Sequence, residues 1–165
     1  MIFIGIEVGK KGGISVLSIN GMIGNTESYP YDDKTLLNLL EMYKRVKIFC
    51  VVEKAHSMPK QGVKSTFDFG KSAGFIEGVL QAYNISYQLV PPQAWKKEFN
   101  LIGTDKKASI NCAKRLFPKV NLLATERSRV EHDGMVESLL ICEYARRLYV
   151  KKNSEIQELL KEMEI

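Results

Sequence analysis

The chain has 165 residues, enough for one domain with a buried core, and its 45% hydrophobic and 26% charged content is ordinary for a soluble globular protein. Its net charge of +5 weakly favours a polyanionic partner. No run is long enough to span a bilayer, no signal-peptide pattern opens the chain, and Cys50, Cys112 and Cys142 lie far apart in apolar surroundings, so a membrane span, a disulfide scaffold and a zinc site are excluded and a cytoplasmic protein is expected.

Met1 to Ile6 is an apolar run around Gly5 that ends at Glu7. Gly9, Gly12 and Gly13 mark a tight turn, and Ile14 to Ile19 returns as a second strand. A third strand is expected over Met22 to Tyr29, completing an antiparallel meander broken by Pro30 to Asp33. Asp33 is expected to cap a helix through Leu36, Leu37, Leu39, Leu40 and Tyr43. Ile48 to Val52 reads as a strand covered on both faces, ending at Glu53.

Residues 54 to 66 read as a loop with Lys54, Lys60 and Lys64 and no acid, and a loop that long is usually functional or mobile. A helix is expected from Phe67 to about Tyr83. Its Gly70, Gly74 and Gly78 leave one bare stripe where another backbone can approach, either the sheet or a copy of the helix across a dimer. Ser86 to Val90 is the fifth strand, and Gln93 to Phe99 a short helical segment. Thr104 or Asp105 caps a helix through Phe117, and residues 119 to 130 are irregular. Asp133 opens the last core helix, with Met135, Val136, Leu139, Leu140, Cys142 and Leu148 as its apolar face. This order implies an α/β domain built on a mixed sheet over residues 1–150, followed by an amphipathic tail over 151–165, and no small-molecule cofactor is expected.

A carboxylate ending a buried strand is costly unless a cationic side chain or a metal ion meets it. Glu7 and Glu53 both occupy such positions, and Asp133 and Glu137 project from one helix face at i, i+4. On spacing alone that pair is simple stabilisation of a helix N-terminus. Four acids converging from two strands and a helix would repel one another, and Mg²⁺ or Mn²⁺ with oxygen ligands is the natural remedy. Two such ions roughly 3.5–4 Å apart can serve phosphodiester hydrolysis, and the basic loop would hold the phosphates.

The stretches GIEVGKKGGISVL, VVEKAHSMPKQGVKSTFDFGKSAGFIEGVL, VPPQAWKKEF, GTDKKASINCAKRLFP and HDGMVESLLICEYARR resemble the RuvC-type Holliday junction resolvases, particularly their phage-encoded branch, over most of residues 2 to 150. The resemblance implies an RNase H-like fold, a five-stranded mixed sheet flanked by helices on both faces. It also implies a homodimer that nicks four-way DNA junctions with two Mg²⁺ ions per active site, Mn²⁺ substituting. The family's metal-binding acids fall on Glu7, Glu53, Asp133 and Glu137, and its assisting basic residues on Lys96 and Lys106. Glu7 departs from the family's usual Asp, and one added methylene displaces the carboxylate by over an ångström. A compensated site and a poorly cutting junction-binding protein both fit that change.

The resemblance further places DNA contacts at Lys54, His56, Met58, Lys60, Lys64, Lys96, Lys106 and Lys107. His56 stands where bacterial relatives carry an aromatic residue that stacks on an unpaired base, a contact histidine can also make. His132 could assist the site or merely shape the helix start, and Trp95 is expected to be a packing anchor. Sugar kinases and actin-like ATPases share a glycine-rich first hairpin, but need a second domain for which the chain has no room. A related nuclease acting on other branched DNA is the remaining alternative.

Overall fold

Period-two alternation along the first strand sets the architecture. The computed structural model describes residues 1–18, 26–54 and 62–163, the last five in backbone only. β1 (Ile2–Glu7) turns back into β2 (Gly13–Ser18), and β3 (Glu27–Pro30) pairs outside β2, all antiparallel. On the other side of β1, β4 (Ile48–Glu53) and β5 (Ser86–Val90) add in parallel, giving the order β3-β2-β1-β4-β5. Parallel strands need crossovers, and α1 (Asp33–Met42) and α2 (Val63–Ala82) supply them.

Both faces of the sheet are covered. Ile2, Ile4 and Ile6 of β1, with Cys50 and Val52 of β4, pack with Leu36, Leu39 and Leu40 of α1 and Ile76 and Leu80 of α2. Phe3, Leu17 and Val51 face the other way, into a core with α3 (Pro92–Glu98), α4 (Lys106–Leu116) and α5 (Asp133–Met163). This is the expected mixed sheet between two helical layers. The cysteines are free and buried, and burial pushes the Cys50 and Cys142 thiols up, as suits inert core residues.

Several boundaries differ from the sequence reading. Asp32, not Asp33, caps α1, accepting from the Lys34 and Thr35 amides at 2.9 and 3.3 Å. Asp33 instead becomes the first helical residue, where the dipole favours a negative charge. β3 covers Glu27–Pro30 in place of Met22 to Tyr29. Pro30 pairs within it because an edge strand tolerates a missing donor, and residues 22–25 lie outside the described ones. Of the two candidate caps of α4, Asp105 takes the role, accepting from the Ala108 amide at 3.0 Å.

α2 starts at Val63, a full turn before Phe67, because Gly62 closes its first turn by accepting from the Thr66 amide at 3.0 Å. Lys64 therefore stands on a helix and not in a loop. The glycine stripe does not pack on the sheet. A Cβ built at Gly70, Gly74 or Gly78 meets nothing within 4 Å among the described residues, and Ile76 and Leu80 are the side chains that α2 buries. α5 continues through the expected tail without a break to Met163.

Candidate functional site

Parallel pairing brings the two strand-end acids to one edge. Ile6 is registered with Val52, so Glu7 and Glu53 leave neighbouring strands one step later, at the same end of the sheet. Alternation puts both on the face that carries Phe3 and Val51, beneath α5. Trp95 is fully buried in α3, and its indole N–H donates to Glu53 Oε2 at 2.8 Å. The expected packing anchor thus also orients one of the acids.

α5 reaches this edge because backbone meets backbone there. A Cβ on Gly13 would run into the Gly134 carbonyl, and one on Gly5 into the Cys142 amide and the Ser138 carbonyl. Three buried hydroxyls tie the same region together. Ser15 Oγ donates to Ser28 Oγ at 2.8 Å and lies 2.8 Å from Ser138 Oγ. Ser28 and Ser138 both donate to the Met135 carbonyl, at 2.9 and 3.1 Å. His132 ends the approach, its Nδ1 accepting from the Met135 amide at 3.3 Å. In this structure His132 thus shapes the helix start, as a cap. Asp133 and Glu137 follow on the first turns of α5.

Electrostatics at this edge is dominated by Glu7. Burial first, then the neighbouring Glu137 carboxylate, and then Glu53, push the Glu7 carboxyl up to about 9, against a smaller opposing pull from Lys96. Its Oε2 is buried with no hydrogen-bond partner among the described residues. A lone unsatisfied carboxylate oxygen costs on the order of 1–3 kcal/mol or more. Two lysines partly answer the other acids. Lys96 Nζ lies 3.3 Å from Glu137 Oε1 and over the Trp95 ring, and Lys106, at the head of α4, pairs with Asp133. As the side chains stand, no group of three or more His, Cys, Asp or Glu among the described residues could hold a metal ion. The donor chemistry nonetheless fits a divalent cation: hard carboxylate oxygens, one of them buried and unsatisfied.

The other predicted residues are more scattered. Lys54 is exposed just past β4, its amide donating to the Val90 carbonyl at 2.7 Å. Lys107 is exposed beside Lys106 on α4, and Lys64 is exposed on the first turn of α2. His56, Met58 and Lys60 lie outside the described residues. Sequence reasoning missed the Trp95 bond to Glu53 and the hydroxyl network. Ser15 and Ser28 could have been found as polar residues facing inward on otherwise apolar strands.

No protein-family model matches the chain, and no curated protein matches it significantly. Solved structures do. Thermus thermophilus RuvC aligns with a TM-score of 0.56 and 14% identity, over 86% of this chain and 91% of that one. T. thermophilus RuvC in complex with Holliday junction substrate aligns with a TM-score of 0.57 and 12% identity, over 86% and 90%. At such identities the likeness is one of fold. The chain has an RNase H-like fold of the RuvC kind, and nothing in the likeness points to the phage-encoded branch in particular.

Proposed function

We propose that this chain is a divalent-metal-dependent endonuclease, of the phage RuvC type, that nicks four-way or other branched DNA in the cytoplasm. The observation that carries the reading is Glu7: a buried carboxylate oxygen without a partner among the described residues, pressed by Glu137 and Glu53, at the edge where α5 presents Asp133. A carboxylate set that repels itself is stable only with protons or cations, and cations are the answer useful to a nuclease. Glu7, Glu53, Asp133 and Glu137 would hold Mg²⁺ or Mn²⁺, two per site. Bound there, such ions supply the Lewis acidity that phosphodiester hydrolysis needs. Trp95 holds Glu53 in place, while Lys96 and Lys106, drawn from Glu137 and Asp133 by an incoming phosphate, neutralise its charge. Lys54, Lys64 and Lys107 add phosphate contacts, with the 54–64 segment at the junction centre.

The chain is proposed to act as a homodimer through α2. Its glycine stripe is open among the described residues, and Val63 and Phe67 are 88% and 70% exposed, an apolar surface that a second copy would cover. No helix among the described residues is long and apolar enough to cross a membrane. A second reading rests on the same Glu7: with glutamate at this position and lysines on two of the acids, the protein binds junctions and cuts them weakly. The parent's own nicking in Mg²⁺ separates the two, and Asp133→Asn tests the site that both share. Folded by circular dichroism, it should bind a four-way junction and lose any nicking the parent shows. Nicking at the parental rate would remove Asp133 from the chemistry.

A further inference from the structure

A groove of about 650 Å³ lies between α3 and the middle of α5, and none of the four acids lines it. Lys97 and Glu98 of α3 and Tyr144, Arg146, Arg147 and Lys151 of α5 supply its polar walls, between apolar side chains. Behind them sits Glu143, only 3% exposed. Arg146 donates to its two oxygens through Nε and Nη2, both at 2.7 Å, and Arg147 through Nε at 2.9 Å. Arg147 Nη1 also donates to Glu98 at 2.8 Å, and its guanidinium lies 4.8 Å from the centre of the Phe99 ring.

This arrangement does more than fasten two helices. A guanidinium carries five N–H groups, and these bonds occupy two on each arginine, so each keeps three donors in a fixed orientation. The four cations of the walls outnumber the carboxylates they pair with, those of Glu98, Glu143 and Glu155, by one. Oriented forked donors with a surplus of positive charge suit a phosphate.

Position supplies the source of that phosphate. Lys97 follows directly on Lys96, which is paired with Glu137, and Tyr144 lies seven residues beyond Glu137 on the same α5 face. At 1.5 Å per residue, Tyr144 to Lys151 lie about 10–20 Å along the helix from Glu137. A duplex turn is about 34 Å, so a strand with one phosphate at the acids brings another to the groove about 3–6 base pairs away.

Resting on the nuclease reading, we propose that this groove binds a backbone phosphate of a duplex arm away from the cutting position and aligns the arm along α5. Anisotropy in EDTA tests it, using four-way junctions with hairpin-closed arms of about 4 or about 15 base pairs, only the longer of which span the groove fully. In Lys97→Glu with Lys151→Glu, two exposed lysines change sign while Glu143 and its arginines are untouched. Long-arm affinity should fall about tenfold and the salt slope by about 2, with short-arm affinity nearly unchanged. Lys34→Glu on α1 with Arg45→Glu in the turn after it makes the same charge change across the sheet and should alter neither. Unchanged long-arm affinity, or an equal loss on both junctions, overturns the groove and leaves the nuclease reading standing. A parent protein that binds neither junction brings down both.

Discussion

With no cation bound, Glu7 keeps its proton in the folded chain up to about 9, against an ordinary 4.5. Between those values the folded state binds more protons than the unfolded state, so stability falls as pH rises. Each pH unit in that window is worth about 1.36 kcal/mol, so going from pH 6 to 8 removes up to about 3 kcal/mol through this one carboxyl. For a chain of 165 residues that corresponds to roughly 5–10 °C in Tm. Glu7→Gln keeps the shape of the protonated side chain and cannot ionise. Thermal melts in EDTA at the two pH values should show the parent losing several degrees more than Glu7→Gln. Adding Mg²⁺ should raise the parent's Tm more at the higher pH, because the cation selects the ionised carboxylate. Equal pH dependence in parent and variant, or a parent that grows more stable as pH rises, would refute the reasoning.

Trp95→Phe keeps most of the buried ring but removes the N–H on Glu53, and should cost about 1–3 kcal/mol in urea melts together with a drop in nicking. Stability lost with nicking fully kept would show that the bond only packs α3. Gly13→Ala and Gly134→Ala each drive a methyl into facing backbone, and each should destabilise by about 1–3 kcal/mol or more. Gly74→Ala meets nothing among the described residues and should raise helix stability by about 0.5–1 kcal/mol. If α2 pairs with its copy, the same change weakens the dimer in sedimentation, and an unaltered dimer would move the interface elsewhere.

The strands and their ends were legible because buried strands leave a simple signature: apolar runs closed by glycine, proline or a single acid. That signature located Glu7 and Glu53, and parallel pairing then placed them side by side. Asp133 and Glu137 were legible as a pair by helical spacing, but their distance from the sheet edge was not. It depends on Gly13 meeting Gly134, a contact between residues more than a hundred positions apart. Trp95 read as core because it is large and apolar; that its one polar atom meets an acid 42 positions earlier has no local trace. Asp32 and Asp33 are equal candidates by composition, and only the extended backbone at Asp32 decides between them. The stripe on α2 was legible as bare but not as unpacked, since helical periodicity does not say which of two faces meets the sheet.

Nicking of a labelled four-way junction, with Mg²⁺, Mn²⁺ or EDTA, by the parent and by Glu7→Asp, tests the central claim most directly. Paired nicks that require the cation and rise or persist with Glu7→Asp are the result expected of a RuvC-like nuclease built around these four acids. Cation-independent cutting, or no preference for the junction in either protein, would contradict it.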